Sequence, residues 1–353
     1  MPNELAELLT YSRSQSFKKC RKRHWWEYEI GLRKEVDAKA LRMGTAGHVG
    51  LDALKATDDT EQAVAAACQA YAVCPEGADQ YGWNIECETI ANLIRGYAWR
   101  WEAAPWKVLA SEESFRLPLR NPATNARSTI FDLAGKTDGV IRLEDCRLAV
   151  LEHKFLSNDI GPDSDFWRRL QLDTQASIYV WAARQLGYDI STVIYDVIRK
   201  PAIRPEQVAL LDTNGFKIVL DAFGKRVFSH QNKPRQTGDT AKDYALQSRL
   251  QTPDEWGAKL LQDIGRRPDW YFARHEIARL DSDIEETLAE LWDLQKTIRE
   301  AQRTGRWYKS VYQDSCVFCA YFGLCCCHYE PQPNIVPEGF RYVEDKHPEL
   351  SGD

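Results

Sequence analysis

The chain has 353 residues and a mass of 40.6 kDa, which fits one large domain with insertions or two ordinary domains. Hydrophobic residues make up 44% and charged residues 28%, proportions that exclude a disordered or collagen-like chain. The net charge of −6 argues against general affinity for nucleic acid but leaves room for a local basic groove. Because no apolar run is long enough to span a bilayer and the start lacks a signal-peptide core, we expect a cytoplasmic protein without a membrane partner.

The first hundred residues favour helices. A basic, aromatic segment at 12–28 predicts a helix that ends near Gly31. Apolar periodicity and alanine-rich composition predict three more helices, at 40–56, 60–73 and 86–103.

The following hundred residues have the alternating, β-branched pattern of strands. We expect an antiparallel meander of three strands, then a helix and a further strand, which together form a mixed sheet with a helix on its face. In chain order these elements lie at 107–119, 129–142, 147–155, 164–186 and 191–199.

The last part of the chain is less regular. Residues 201–250 have a weak pattern with an exposed loop at 230–243, and we find no internal repeat. A helix near 253–264, a strand near 270–278 and a long helix at 281–304 follow. The proline-rich tail beyond Pro331 is expected to be an arm or partly disordered.

The strands carry a group of residues suited to hydrolysis of phosphodiesters. Asp138 is expected in the middle of one strand, and Glu152 and Lys154 share a face of the next because side chains alternate. Asp138 joins that face if the hairpin between 142 and 147 has an odd loop or a bulge, whereas a two-residue turn points it away. Two carboxylates and an ammonium group suit a divalent metal ion and the water that it activates. The alternative interpretation is a surface salt bridge formed by the same residues.

Five of the ten cysteines lie between residues 316 and 327. The spacing Cys316-X2-Cys319-X5-Cys325 supplies three soft ligands for a metal or cluster that needs four. The fourth is Cys20, or a neighbouring cysteine at 326 or 327. A structural zinc site and free buried thiols remain the alternatives.

The order of the acid, the strand turn and Glu-X-Lys resembles the PD-(D/E)XK nuclease superfamily. Its RecB-like branch adds a Gly-X3-His helix upstream and a Gln-X3-Tyr helix downstream, similar to 44–48 and 175–179 here. The resemblance implies a restriction-endonuclease-like α/β (α+β) fold, with a mixed sheet core flanked by helices, a helical N-terminal region and a Cys-rich C-terminal cap. Thr137 stands where the superfamily's name places Pro.

The same resemblance assigns roles to individual side chains. It implies that His48, Asp138 and Glu152 bind Mg²⁺ or Mn²⁺ and that Lys154 is the catalytic lysine. It further implies that Gln175 and Tyr179 line the site and orient the substrate or the lysine. Glu113, which has Glu112 beside it, resembles an acid often found on the preceding strand.

Cys20, followed at a distance by Cys-X2-Cys-X5-Cys, resembles the iron–sulfur staple of RecB-like nucleases such as AddB and the CRISPR-associated adaptation exonucleases. The resemblance implies a [4Fe–4S] cluster on Cys20, Cys316, Cys319 and Cys325 that ties the two ends of the chain together.

Two basic segments are candidate tracks for a DNA strand, since cations hold phosphates while rings stack on bases. A solvated helix face is the ordinary alternative for such a run. The first candidate consists of Lys18, Lys19, Arg21, Lys22 and Arg23, followed by Trp25, Trp26 and Tyr28. The second candidate is Trp167 with Arg168 and Arg169.

The domain prediction is one nuclease domain, 1–330, followed by a tail, 331–353. Within the domain we expect a helical part (1–105), a catalytic sheet core (106–200), a helical and strand part (201–310) and an iron–sulfur segment (311–330).

The predicted function is that of a metal-dependent DNA exonuclease acting on ends or single strands in a prokaryotic or phage-infected cell. Its process would be recombination, repair, phage DNA processing or CRISPR adaptation. Since no Gly-X4-Gly-Lys-Ser/Thr loop is present, unwinding would need a helicase or a recombination or adaptation protein as partner. The alternative is a noncatalytic iron–sulfur or zinc adaptor that binds DNA and keeps the nuclease fold.

Overall fold

The computed structural model describes residues 6–102, 106–229, 231–311, 316–332 and 335–350. Parts of the predicted segments 1–105, 201–310 (within it, 230–243), 311–330 and 331–353 therefore lie outside the described residues. In the described part, the predicted fold class is confirmed, because a mixed sheet lies between layers of helices.

The strands form one sheet of five strands, one of three and several short pairs. They are β1 (Glu7–Leu9), β2 (Leu32–Lys34), β3 (Trp106–Ser111), β4 (Ser114–Arg120), β5 (Arg127–Lys136), β6 (Gly139–Leu143), β7 (Leu148–Leu156), β8 (Ile190–Arg199), β9 (Gln207–Ala209), β10 (Val219–Leu220), β11 (Ala245–Leu246), β12 (Ser248–Leu250), β13 (Phe272–Ala278) and β14 (Phe340–Tyr342).

The helices surround these sheets, and a π-helix at Trp25–Ile30 ends the N-terminal helical segment. They are α1 (Tyr11–Lys19), α2 (Arg21–His24), α3 (Lys39–Thr57), α4 (Thr60–Gln69), α5 (Gln80–Arg100), α6 (Asp165–Leu170), α7 (Thr174–Gln185), α8 (Pro253–Arg266), α9 (Pro268–Tyr271), α10 (Asp281–Thr304) and α11 (Phe322–Cys326). None of the helices in the described ranges is long and apolar enough to cross a bilayer.

The five-stranded sheet has the order β13-β8-β7-β6-β3, in which only β7 and β8 run parallel. Helices α7 and α10 cover one face and share a hydrophobic core with β7 and β8. Helices α3, α4, α5 and α8 pack in a second core that includes Ile198 and Phe272 of the sheet. Both faces of β7 are therefore buried under helices.

The first two predicted strands are each broken into two, so Asp138 is not in the middle of a strand. Residues 106–120 pair with 127–143 as one bent ribbon whose two halves, β3–β6 and β4–β5, belong to different sheets. At the bend, Glu112 has a positive φ of 52°, and the Thr137 N–H donates to the Glu113 carbonyl at 3.0 Å. The carboxylate of Asp138 thus projects from a break between β5 and β6, where a regular ladder does not fix its direction.

The predicted helices are interrupted where a residue caps or turns the chain. The segment at 12–28 is broken at Cys20, whose backbone is extended, and it ends at Gly31 with φ 75°. The helix predicted at 164–186 is split into α6 and α7, because Asp173 accepts a hydrogen bond from the Gln175 N–H and starts a new helix.

Residues 207–250, which we call the hairpin arm, contain a short internal repeat that we did not predict. Turns at 212–216, 221–225 and 229–233 share one bonding pattern: the N–H of the first residue donates to the carbonyl of the fifth, and the N–H of the fourth to the carbonyl of the first. The fourth residue, Gly215, Gly224 or Asn232, has a positive φ each time. The expectation of no repeat was wrong because only turn residues recur, at intervals of nine and eight.

The tail beyond Pro331 is not a free arm over residues 335–350. β14 pairs antiparallel with β2, and Phe340 is buried beside Trp26, Leu32 and Tyr321. The side chain of Glu349 accepts a hydrogen bond from the Thr10 hydroxyl at 2.5 Å. This part of the chain therefore folds back onto the N-terminal helices.

Candidate active site

The hairpin between β6 and β7 decides the orientation of the predicted acids. Its loop has three residues, because the Leu143 N–H donates to the Arg147 carbonyl at 2.9 Å and Cys146 takes a positive φ of 71°. With this odd loop, Gly139 pairs with Leu151, so that Asp138 follows opposite Glu152.

The carboxylate of Asp138 is held by two elements. Its Oδ2 accepts the backbone N–H of His153 at 2.6 Å, and its Oδ1 lies 3.2 Å from Nδ1 of His48 on α3. The ammonium of Lys55, also on α3, donates to the Asp138 carbonyl at 2.9 Å. Helix α3 therefore fixes both the side chain and the peptide of this acid.

A second polar chain links β7 to α7. The Lys154 ammonium donates to Oε1 of Glu152 at 2.5 Å and to Oε1 of Gln175 at 2.8 Å. The Gln175 amide in turn donates to Glu152 at 3.1 Å and to the Tyr179 hydroxyl at 3.0 Å. Because Gln175 is in the first turn of α7 and Tyr179 one turn later, both reach the same face of the helix.

The electrostatics of the two acids differ. Burial raises the pKa of Asp138, but the charge and the hydrogen bond of His48 lower it by a larger amount. The resulting pKa lies well below the usual range. Burial raises the pKa of Glu152 to about 7 against the opposing charge of Lys154, with Asp138 adding to the rise. Neighbouring carboxylates of unequal pKa are expected where one ionised acid disfavours the other.

The two cations respond to the same carboxylates. Burial lowers the pKa of His48, but Asp138 outweighs burial and leaves the pKa raised. Likewise, burial lowers the pKa of Lys154, and the charge of Glu152 raises it above its usual value. The group thus consists of two ion pairs, His48–Asp138 and Lys154–Glu152.

Glycine packing positions the helix that carries His48. A Cβ on Gly47 would lie 2.2 Å from the Phe155 ring, so this contact between α3 and β7 requires glycine. A Cβ on Gly44, the glycine of the sequence motif, would meet open space. The steric requirement therefore lies at Gly47, next to the histidine, and not at the motif position.

Among the described residues, no group of three or more His, Cys, Asp or Glu forms a ready-made metal site. Instead, His48 and Lys154 contact the carboxylates of Asp138 and Glu152. The donor set of two carboxylates and one imidazole still suits Mg²⁺ or Mn²⁺, provided that the ion pairs open.

Lys55, Tyr11 and Asp173 also belong to this neighbourhood and were not predicted as site residues. Lys55 lies seven residues after His48, a helical spacing that was available as a signal. The Tyr11 pKa is raised by burial and by Asp173, which shares a hydrogen bond with it, and more weakly by Glu152. Tyr11 comes from the opposite end of the domain sequence, so no local pattern pointed to it.

Of the two adjacent acids at the ribbon bend, Glu112 has the defined side-chain contacts. It lies 2.6 Å from the Lys136 ammonium and shares a hydrogen bond with Asp52. Its N–H also faces the Asp138 carbonyl at 3.4 Å. Glu113 contributes its backbone carbonyl to the bend.

Two of the four predicted thiol ligands, Cys20 and Cys316, come from opposite ends of the described chain and both contact Ser310. Its N–H donates to Sγ of Cys20 at 3.4 Å, and its carbonyl faces Sγ of Cys316 at 3.5 Å. Cys319 and Cys325 each interact electrostatically with Cys20. We call Cys20, Cys316, Cys319 and Cys325 the thiol cluster.

Burial separates the thiol cluster from its neighbours. All ten cysteines are free; the four members of the cluster are half-buried, whereas Cys326 and Cys327 are exposed. Burial raises the pKa of both Cys319 and Cys325. Cys325 is therefore the better candidate for the last ligand.

The predicted DNA track at 18–28 lacks free aromatic rings. Trp26 is fully buried and Tyr28 nearly so, and the Lys22 ammonium lies 3.5 Å from the centre of the Trp25 ring. Lys18 pairs with Glu290 at 2.5 Å and Arg23 with Glu27 at 2.8 Å. Stacking on bases by Trp26 and Tyr28 is thus contradicted, because these rings fill a core.

The aromatic ring of the second predicted track is also buried. Trp167 is buried, donates from its indole N–H to the Ile160 carbonyl at 2.9 Å and stacks on His275. Arg168 is exposed and lies 3.6 Å from Asp165. Arg168 and Arg169 still offer positive charge, but without the predicted ring.

Comparison with known families supports the fold class. The family model of the PD-(D/E)XK nuclease superfamily matches residues 8–326. Among curated proteins, none matches the sequence.

Solved structures with a similar chain path are distant in sequence. One is the crystal structure of a candidate exonuclease from Eubacterium rectale, 11% identical, with a TM-score of 0.43, covering 94% of this chain and 91% of that one. Another is SSO0001, 13% identical, with a TM-score of 0.34 and coverage of 94% and 90%.

Proposed function

We propose that this chain, which belongs to the PD-(D/E)XK nuclease superfamily, is a metal-dependent DNA exonuclease that carries a [4Fe–4S] cluster. The observation that supports the hydrolytic part is the meeting of the His48–Asp138 pair with the Glu152–Lys154 pair at one end of the five-stranded sheet. Two opposed acids that can hold a metal ion, with an ammonium beside them, suit the hydrolysis of phosphodiesters.

Asp138, Glu152 and His48 are the residues proposed to hold Mg²⁺ or Mn²⁺. When bound, the metal supplies Lewis-acid chemistry that activates water and neutralises charge on the phosphate. Carboxylate oxygens suit both ions, and the imidazole favours Mn²⁺ at least as well as Mg²⁺.

The protein's own groups supply charge and orientation. An ammonium has three N–H donors, and Lys154 directs two of them to Glu152 and Gln175. The third is available for a phosphate oxygen or a water molecule. Gln175 is itself fixed by the Tyr179 hydroxyl, so the lysine is held in one orientation before substrate arrives.

The thiol cluster is proposed to bind the [4Fe–4S] cluster. Four free, half-buried thiols, two of which contact Ser310, are the donor type that a cubane needs. Ligation would draw all four together and would join residue 20 to a segment about 300 residues later. Electron transfer is not required of it, since its position suits a structural link between the chain ends.

Action on DNA ends or single strands, and a role in recombination, repair, phage DNA processing or CRISPR adaptation, follow from the resemblance of the motifs. A helicase or adaptation protein as partner has the same origin. The activity test must therefore distinguish single-stranded from double-stranded DNA and cleavage at ends from internal cleavage.

The test is cleavage of end-labelled single- and double-stranded DNA in Mn²⁺, with circular DNA to distinguish exonuclease from endonuclease action. Wild type is expected to degrade linear DNA, whereas Asp138→Ala and Lys154→Ala lose activity. Asp145→Ala, an exposed acid in the β6–β7 loop, is the matched control and should retain it. Equal cleavage by all variants would identify a contaminant, and no cleavage of any DNA by wild type would favour a noncatalytic adaptor.

The cofactor test uses colour and metal content. Protein with the cluster is expected to be brown, with iron and sulfide in near-equal amounts, and Cys20→Ala should bleach it while the exposed Cys146→Ala should not. A colourless protein with stoichiometric zinc would replace the iron assignment with a zinc site.

A further inference from the structure

The hairpin arm begins at the same end of the sheet as the candidate active site. β7 and β8 run parallel, with Lys154 beside Val197 and Leu156 beside Arg199. The chain leaves the end of β8, where the Lys200 N–H donates to the Leu156 carbonyl, and enters the arm a few residues later. A polymer bound at Lys154 therefore has the base of the arm close by.

The arm is positively charged in an otherwise acidic protein. Seven Lys and Arg against four Asp give residues 207–250 a net charge of +3, although the whole chain has −6. Lys225 and Lys233 occupy the fifth position of their turns and Lys217 the position after the first turn. All three are exposed and, among the residues described, form no ion pair.

The acidic residues of the turns are directed at the backbone of the arm. Asp212 Oδ1 accepts the N–H groups of Asn214 and Phe216, and Asp221 Oδ1 accepts those of Phe223 and Lys225. These carboxylates stabilise the turns, and Asp212 also pairs with Arg226 at 2.7 Å. The three lysines thus remain the free charges of the turns.

The arm also exposes aromatic rings, in contrast with the two tracks predicted from the sequence. The exposed fraction is 89% for Phe223, 48% for Phe228 and 45% for Phe216. The arm buries little besides Val219 and Val227, so these rings are not needed to fill a core. Exposed rings beside unpaired cations are the elements with which proteins bind single strands without regard to sequence.

We propose that the hairpin arm is a binding surface for single-stranded DNA that leads to or from the candidate active site. The lysines contact successive phosphates, and the phenylalanines stack on bases that are unpaired, since the bases of a duplex are already stacked on one another. The choice of DNA rests on the proposed nuclease function, whereas the charge and the rings belong to the arm itself.

The test is equilibrium binding of a fluorescent oligothymidylate of about 40 nucleotides in EDTA, which prevents cleavage, over a series of salt concentrations. In the triple variant Lys217→Gln, Lys225→Gln, Lys233→Gln, we expect affinity to fall about tenfold and the salt dependence to weaken by about 2 in slope. Phe223→Ala should weaken binding by about tenfold through lost stacking. Since all four side chains are exposed, circular dichroism should show unchanged folding.

The control removes three exposed cations from α10, in Lys296→Gln, Arg299→Gln, Arg303→Gln, with the same change of net charge. This variant should bind like wild type; an equal loss there, or wild-type affinity and salt slope in both arm variants, would overturn the proposal. Unchanged DNA binding together with loss of self-association in Phe223→Ala would instead assign the arm to a second copy of the chain.

Cleavage separates this proposal from that of the nuclease function. With Mn²⁺, the arm variants should cleave an oligonucleotide of about six residues at the wild-type rate and the long strand with a raised KM. If the wild type cleaves nothing and the arm variants still bind DNA more weakly than the wild type, the proposed nuclease function is refuted and the proposed DNA-binding role of the arm is supported.

Discussion

The candidate active site and the thiol cluster both unite distant parts of the chain, but different forces hold them in place. At the active site, the side chains bind one another: His48 contacts Asp138, and Lys154 contacts Glu152 and Gln175. In the thiol cluster, the contacts of Cys20 and Cys316 with the Ser310 backbone are 3.4 and 3.5 Å long, and thiols are weak hydrogen-bonding partners.

The difference teaches where each proposed cofactor contributes. The active site is ordered by its own hydrogen bonds, so removal of a divalent ion should stop the chemistry and leave the fold intact. The thiol cluster is supported from one side by a small core of Trp26, Leu32, Tyr321 and Phe340. Loss of the proposed [4Fe–4S] cofactor should therefore lower the stability of the fold before it affects cleavage.

The largest effect is expected on catalysis from Lys154→Met. Removal of the ammonium should reduce the cleavage rate about 10²- to 10³-fold, the usual consequence of deleting one group that stabilises the transition state. The melting temperature should stay within a few degrees of wild type. Steady-state kinetics and thermal melts measure both, with Lys136→Met as the matched lysine, and a variant that melts early but cleaves normally would contradict the assignment.

The next effect concerns stability at the thiol cluster. Cys20→Ala should lower the free energy of unfolding by roughly 3 kcal/mol, the scale on which a link across a long loop stabilises a fold. Cleavage per folded molecule should change little. Urea unfolding of Cys20→Ala beside Cys146→Ala checks this, and equal stability of the two variants would mean that Cys20 carries no structural ligand.

A third prediction concerns acid sensitivity of the region beside the thiol cluster. His24 is fully buried, and burial, with the charge of Arg13, lowers its pKa from 6.5 to about 2. Below pH 6.5 His24 binds a proton in the unfolded chain but not in the folded protein. The free energy of unfolding therefore decreases as the pH is lowered, by up to about 1.4 kcal/mol per pH unit. Above pH 6.5 this group has no effect.

Replacement of His24 by Gln should remove this dependence, which amounts to about 2.3 kcal/mol between pH 6.5 and 4.5. Urea midpoints across this range measure it. His328→Asn, at an exposed position, is the control, and an unchanged slope in His24→Gln would show that other groups govern the acid response.

The smallest effect is expected from Lys55→Met at the active site. It removes the ammonium that donates to the Asp138 carbonyl, a charged hydrogen bond of about 1.4 kcal/mol, and should slow cleavage about tenfold. The Mn²⁺ concentration for half-maximal rate should rise, because the acid is held less firmly. A variant with wild-type metal dependence would show that Lys55 only stabilises the helix.

Much of the active site could be predicted because its residues follow fixed periods. Glu152 and Lys154 share a face by strand alternation. Gln175 and Tyr179 were implied by the resemblance to the Gln-X3-Tyr motif, and the helix repeat places both on one face. Asp138 depended on the number of residues in one hairpin loop, which the sequence left open. The break of the ribbon at Glu112 was not visible, because both halves have the alternation of strands.

The aromatic residues were the least predictable part. Trp26 and Tyr28 in a basic helix read equally well as stacking surface or as core. Trp26 packs with Tyr321 and Phe340, about 300 residues later in the chain, and Tyr28 lies between His24 and His347. Conversely, the sequence sign of the arm's repeat is slight: Leu-Asp-X-X-Gly occurs at 211–215 and again at 220–224, while the strands are two or three residues long and the regularity lies in backbone turns. Long-range packing decides such cases, and a single sequence does not contain it.

The pairing of β14 with β2 sets an order of events during synthesis. Leu32 leaves the ribosome more than 300 residues before its strand neighbour Tyr342, so the N-terminal helices wait, with Trp26 uncovered, until translation is nearly finished. Nascent chains stalled before this point should expose that tryptophan to chaperones, while the central sheet has already formed.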